Sequence, residues 1–423
     1  MNHVLGLDCM ICGSRYAADE VDYVCPDHGA DGTLDVAYDY DRIESGFSRG
    51  GVAQSGIESM WRYRALLPIR QASVVPPLRV GWTPLYETPR LAASLGLRDV
   101  WVKDEGVQPT GSLKDRASAV AVVKATERGA SVVTTASTGN AAAALAGVCA
   151  SVKQPNVIFV PADAPQAKVA QLLAYGSTVL LVDGSYDDAV ELCLQAADRF
   201  GWYNRTTGFN PYMSEGKKTA AVEIVEQLGW QAPDVVFVSV GDGCIIGGLH
   251  KGFRDLVALG WIAHVPRLIG VQAEGSAFLA EAWRRGEDVL AKPAIAAHTV
   301  ADSISAGLPR DRLKAMRAVH DTDGAFVTVT DEEILASIPL LARASGVFAE
   351  PAAAAAYAGL VRAAAMGLVL NRDRIVLVST GTGLKDVPAA IQAVEAAGDV
   401  AHHVSPRLDA VEAVFGTTTG VHP

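Results

Sequence analysis

Asp234-Val-Val-Phe-Val-Ser-Val-Gly-Asp-Gly-Cys-Ile-Ile-Gly-Gly248 joins an apolar run to a glycine-rich turn and the start of a helix. A strand with no polar face has no side to offer to water, so it belongs in a parallel sheet covered by helices on both faces. The same pattern repeats on either side of it. Strands are expected over residues 131–136, 156–161, 178–183, 234–240, 267–272, 326–330 and 374–379. Helices are expected over 112–128, 140–151, 186–200, 214–228, 248–259, 331–344 and 351–365. Alternating strands and helices predict an α/β fold. Two such series, near 110–225 and 232–395, predict two doubly wound α/β lobes with a ligand site between them, where strand ends face helix starts.

With 423 residues, the chain exceeds what one hydrophobic core usually holds. The expected division is an N-terminal module over 1–45, a large lobe from 46–110 and 229–400, a small lobe over 111–228 and a tail over 401–423. The net charge of −11 argues against nucleic acid as the main partner. No segment approaches the ~20 apolar residues of a membrane span, and the N-terminus lacks a basic start followed by an apolar signal core. Six cysteines in so long a chain do not make a disulfide scaffold, so a cytoplasmic enzyme is expected. Three of the six stand apart: Cys9-Met-Ile-Cys12 is followed by Cys25-Pro-Asp-His28. Two knuckles offering two sulfurs, then a sulfur and a nitrogen, suit a structural zinc in a ribbon-like module held by Cys9, Cys12, Cys25 and His28. The plainer alternative is a ribbon without metal that persists by packing.

The chemistry gathers in four turns. Pro109-Thr-Gly-Ser-Leu-Lys114-Asp-Arg116 opens a helix with a lysine in its first turn, where the positive end of the helix dipole favours the neutral amine that a Schiff base requires. A surface lysine on a capped helix is the bland reading. After the 234–240 strand, Gly241, Asp242, Gly243, Cys244 and Ile245 place successive N–H groups before a helix, which makes an anion cradle. Neither the Walker spacing nor the full dinucleotide fingerprint is present, which disfavours a nucleotide triphosphate. Ser137-Thr138-Gly139-Asn140 suits a carboxylate, and Asn140 can donate to a phenolic oxygen. Ser379-Thr380-Gly381-Thr382-Gly383-Leu-Lys385-Asp386 again ends a strand. Any one of these turns could be simple N-capping.

Taken together, over residues 80–395, these motifs resemble the threonine synthase group of fold-type-II pyridoxal-phosphate enzymes, more distantly threonine deaminase and cysteine synthase. Many threonine synthases also carry an N-terminal cysteine ribbon. The resemblance implies that Lys114 forms the Schiff base with pyridoxal 5′-phosphate and that Asn140 pairs with the cofactor's 3′-oxygen. It also implies that residues 241–245 hold its phosphate and Thr380 faces its ring nitrogen. Asn210-Pro-Tyr-Met-Ser-Glu-Gly-Lys-Lys-Thr219 and Glu350-Pro-Ala352 match two further family segments.

The chain departs from the family at Leu113, Ala117 and Thr382, where phenylalanine, glycine and histidine are common. Met213 stands where an arginine is frequent, and Asp302-Ser-Ile-Ser-Ala306 replaces an arginine-containing segment. Both of the latter changes remove guanidinium donors suited to a substrate phosphate. Ser214, Lys217 and Lys218 are the expected replacements, with Arg205 a further point charge, and Ser137, Thr138 and Gly139 are expected on the substrate's carboxylate. The alternative for both lysines is the solvated face of the 214–228 helix. The resemblance implies a homodimeric lyase converting O-phosphohomoserine and water to threonine and phosphate. Its rivals are a β-eliminating or β-replacing enzyme, such as a serine/threonine ammonia-lyase or a cysteate-synthase-like enzyme, and a non-catalytic cofactor-binding regulator.

Overall fold

A strand such as Val235–Ser239, every residue of which is buried, is stable only in the middle of a covered sheet. In the computed structural model, which describes residues 3–137 and 139–415, it lies there. Thirteen strands form three sheets among the described residues. At the N-terminus, β1 (Val4–Cys9) pairs antiparallel with β2 (Arg15–Tyr16) and β3 (Leu34–Tyr38). After it come β4 (Leu85–Glu87), β5 (Asp99–Asp104), β6 (Val133–Ala136), β7 (Asn156–Pro161), β8 (Thr178–Val182), β9 (Tyr203–Asn204), β10 (Val235–Ser239), β11 (Arg267–Ala273), β12 (Ala325–Val329) and β13 (Arg374–Ser379).

The six-stranded sheet runs β12-β11-β10-β13-β5-β4 and is parallel except for β4 at its edge. The four-stranded sheet runs β8-β7-β6-β9, all parallel. The expected α/β class with two parallel sheets is therefore present. At roughly 1.5–3 kcal/mol for each large apolar side chain buried, the fully covered Val235, Val236, Phe237 and Val238 alone anchor the centre of the large sheet. No helix among the described residues is long and apolar enough to cross a membrane.

The expected helix over 214–228 begins earlier and is divided: Tyr212–Lys217 and Thr219–Gln227 meet at Lys218. The helix expected from 112 starts at Lys114, because Ser112 is held in a bridge to Gly381. The tail contains one more helix, Leu408–Phe415.

Charge is matched deep in the structure. Arg116 bonds Glu223 Oε1 at 2.6 Å and Glu105 Oε1 at 2.7 Å, while Lys103 reaches Glu223 Oε2 at 2.9 Å, and all four side chains are fully buried. The N-terminal sheet is joined to the same core. Tyr38 donates to Glu215 at 2.5 Å, Tyr40 to Asp255 at 2.6 Å, and Lys251 to the Val36 carbonyl at 2.6 Å.

Candidate active site

Lys114 is the first residue of the Lys114–Glu127 helix, and the segment before it is strapped to the turn after β13. Leu113 N–H donates to the Thr380 carbonyl at 2.9 Å, and Thr382 N–H donates to the Gly111 carbonyl at 3.0 Å. Asp115 turns back onto the Thr110 N–H at 2.7 Å and the Thr110 hydroxyl, which fixes the approach to the helix. The Lys114 amine is pushed down to about 8, first by burial and then by the like charge of Lys217. That neighbour, invisible in the local sequence, outranks every other charge acting on the amine.

Asn140 opens the Asn140–Val152 helix after β6, and its amide donates to Glu350 Oε1 at 2.7 Å. Glu350 stands before the Pro351–Ala365 helix, its N–H donating to the Gly381 carbonyl at 3.1 Å. A Cβ on Gly381 would lie 2.4 Å from Glu350 Oε1, so only glycine admits this approach. Burial raises the Glu350 carboxyl to about 7, partly offset by Lys114. The sequence flagged the Glu350-Pro-Ala turn without giving the carboxylate a place in the site. Nothing local to the turn shows that it meets Asn140, 210 residues away.

On the other strand ends, Ser137 Oγ accepts the Gly139 N–H at 3.2 Å, while Thr138 lies outside the described residues. Thr380 is buried at the end of β13. A cavity of about 120 Å³ opens between the two sheets, lined among others by Gly139, Asn140, Lys168, Ser303, Glu350 and Lys385. Lys168 bridges it to Asp302 at 2.9 Å.

The 241–245 turn precedes the Cys244–Ala258 helix. Gly243 adopts φ +93°, and a Cβ there would lie 2.8 Å from both the Asp311 carbonyl and Ala315 Cβ. A Cβ on Gly241 would meet Ile304 Cα at 2.8 Å. The glycines thus allow the turn to back onto neighbouring segments, which is a different demand from room for an incoming anion. The Asp242 carboxylate accepts the Arg310 N–H at 3.2 Å, and its carbonyl accepts the Asp311 N–H at 2.8 Å. This pins the turn from behind.

The three residues expected at the substrate's phosphate differ in their surroundings. Lys217 and Lys218 are both fully buried, which excludes the solvated-face alternative. Lys218 lies 2.6 Å from Glu215 and 2.6 Å from Asp255, under the Tyr38 ring at 4.1 Å, so its charge is already matched. Ser214 Oγ accepts the Lys314 ammonium at 2.9 Å and donates to the Pro211 carbonyl at 3.2 Å. Met213 is core. Lys217 Nζ has no carboxylate partner among the described residues and stands against the Cys244 thiol. Arg205 is also buried, with Nε on Ser118 Oγ at 3.2 Å and Nη2 unpartnered. Burial pulls its pKa down to about 10. Among the described residues no carboxylate pairs with either cation. A glycine turn at a helix start, two unmatched cations and a lysine of lowered pKa fit an anionic cofactor carrying an aldehyde.

Residues 77–381 match the family described as pyridoxal-phosphate dependent enzyme. The threonine synthase of Methanocaldococcus jannaschii is 39% identical over 389 residues, 92% of this chain and 94% of that protein. This chain belongs to the threonine synthase family. It is a pyridoxal-phosphate-dependent lyase. The threonine synthase of Methanosarcina acetivorans is likewise 39% identical, over 97% of this chain and 98% of its own length, and that of Mycobacterium leprae 38% identical over 78% and 89%. Among solved structures, a threonine deaminase from Solanum lycopersicum (TM-score 0.64, 24% identical, 75% of this chain and 83% of that one) shares the fold. So does the diaminopropionate ammonia lyase of Escherichia coli (TM-score 0.64, 19% identical, 81% and 92%). The family's fold and cofactor agree with the arrangement around Lys114.

Proposed function

We propose that this enzyme converts O-phosphohomoserine and water to threonine and phosphate, with pyridoxal 5′-phosphate attached through Lys114. The observation that carries the reading is the pair of unmatched buried cations, Arg205 and Lys217, around Lys114. Burying a charge without a partner is costly, so each marks a place for an anion. Serine or threonine as substrate would bring in no phosphate beyond the cofactor's and leave one cation without use. Asn140 would hold the cofactor's ring oxygen, Thr380 its ring nitrogen, and the N–H groups of Gly241, Asp242, Gly243, Cys244 and Ile245 its phosphate. When bound, the cofactor supplies an electron sink that makes protons near the substrate's amine labile. A neutral hydroxyl at the ring nitrogen tempers that sink.

Lys114 moves protons at the substrate's Cα, since an amine near pH 8 can both take and return one. The Ser137–Gly139 turn takes the substrate's carboxylate, and Arg205 its phosphate. Ser214 and Lys218 are withdrawn from that pocket, their polar atoms being engaged elsewhere. The Lys168–Asp302 bridge limits water at the mouth of the cleft. Met213 in the core favours the rival reading of β-elimination or β-replacement, which needs no γ-phosphate pocket. Product analysis with O-phosphohomoserine, serine, threonine and phosphoserine separates the two. Phosphate and threonine from the first substrate support the proposal. Ammonia or β-replacement on serine or phosphoserine, with no phosphate from O-phosphohomoserine, would reject it.

The ligand atoms of Cys9, Cys12, Cys25 and His28 all lie within 4.8 Å of one another, a spread suited to tetrahedral zinc. The proposed role is structural, and metal analysis should find about one zinc per chain. A cytoplasmic homodimer completes the reading, the dimer supported by the exposed apolar Val387 and Ile391. Light scattering checks the assembly.

A further inference from the structure

Lys217 is the exception among the fully buried lysines. Lys103 and Lys218 have carboxylates at 2.9 and 2.6 Å, whereas among the described residues Lys217, equally buried, has no carboxylate partner and only the Cys244 sulfur beside its ammonium. Its helix is pressed against the first turns of the Cys244–Ala258 helix. A Cβ on Gly248 would come within 3.0 Å of Lys217 Cβ and 2.9 Å of the Ser214 carbonyl. The residue beside the ammonium is Cys244, the first of that helix and part of the glycine turn. Arg205 also feels Cys244, but its Nε is tied to Ser118 Oγ, one helical turn along from Lys114. Both unmatched cations act on Lys114 and Cys244, and what sets Lys217 apart is that its own helix packs on the first turns of the Cys244–Ala258 helix.

We propose that Lys217 is the charged partner of the cofactor's phosphate, adding an ammonium to the neutral N–H groups of the 241–245 turn. This differs from the pocket for the substrate's phosphate, and it rests on the reading of Lys114 as the cofactor lysine. A dianion held only by backbone N–H groups and a helix start gains from one desolvated ammonium, because charge-assisted contacts are roughly twice as strong as neutral ones. The placement also links two events. In the apoenzyme the Lys217 charge opposes protonation of Lys114, which keeps that amine available. A phosphate seated at Lys217 cancels that repulsion.

The test uses full-length apoenzyme and compares wild type with Lys217→Met and Lys217→Arg, reading out the affinity for pyridoxal 5′-phosphate, pyridoxal and inorganic phosphate. Lys217→Met should bind pyridoxal 5′-phosphate and inorganic phosphate at least about tenfold more weakly, with pyridoxal affinity changed less than about threefold. Lys217→Arg, which keeps the charge, should stay within about threefold of wild type for all three. Should Lys217→Met not fold, Lys217→Gln replaces it in the same comparison. Undiminished cofactor and phosphate affinity in the neutral variant overturns the proposal, whether or not KM for O-phosphohomoserine rises. Equal losses for pyridoxal and its phosphate overturn it too. Because cofactor retention is the readout, a failure of the threonine synthase reaction would leave this result standing.

Discussion

Two groups of buried cations share one set of helices and meet opposite fates. On one side, Arg116 and Lys103 are closed against Glu105 and Glu223, and Lys218 against Glu215 and Asp255. On the other, Lys114, Lys217 and Arg205 gather with no carboxylate in salt-bridge contact among the described residues, although Glu350 and Asp242 act on Lys114. The two kinds are interleaved: Lys114 and Arg116 are two residues apart, Lys217 and Lys218 adjacent. A closed network completes itself within the protein. An open one is completed by a ligand, so the residues that look alike in the sequence divide into scaffold and site by where their anions come from.

The largest effect should come from opening the closed group. Arg116→Met would leave Glu105 and Glu223 buried with only Lys103 to share, and breaking a buried pair of this kind costs about 3–5 kcal/mol. Urea unfolding measures it. A loss under about 1 kcal/mol would mean the network is not the scaffold claimed here. Gly243→Ala comes next. At φ +93°, with Asp311 and Ala315 at 2.8 Å, a Cβ must displace the turn, and cofactor affinity should fall on the order of tenfold or more while the fold persists. Unchanged affinity would mean that the turn has no part in cofactor binding.

A smaller effect concerns pH. Lys114 is lowered to about 8, so its free amine grows as pH rises through about 8, and the rate of cofactor capture by apoenzyme should rise with it and then level. Lys217→Gln removes a positive neighbour and therefore favours the Lys114 cation, which moves that midpoint to higher pH. Capture rates across pH 6–10 check both; a midpoint that stays put or moves down breaks the link between the two lysines.

The sequence carried the fold further than the site. Apolar runs such as 234–240, alternating with alanine-rich helices, are enough to imply two covered parallel sheets, because continuous burial leaves few other arrangements. The four glycine- and hydroxyl-bearing turns are also legible, since strand-to-helix turns have strong local demands. What surrounds a side chain was not. Lys217 and Lys218 read as equivalent candidates for a phosphate, with a solvated face as the alternative, yet each is enclosed between the Lys114–Glu127 and Cys244–Ala258 helices, and only one meets carboxylates. Gly243 looked chosen for an anion's approach, but its backbone presses on Asp311. Glu350 meets Asn140 across 210 residues, a contact set by the packing of two lobes.

The claim on which everything else stands is that Lys114, of the lysines around the cleft, carries the cofactor. Lys217 is the informative rival, buried, unmatched and close enough to act on Lys114. Borohydride reduction of the yellow holoenzyme, followed by digestion and mass spectrometry, reads the attachment site directly. The account predicts the pyridoxyl mass on the peptide containing Gly111-Ser-Leu-Lys114-Asp115, and its loss in Lys114→Ala. Stoichiometric label on Lys217, Lys168 or Lys385 instead would contradict it.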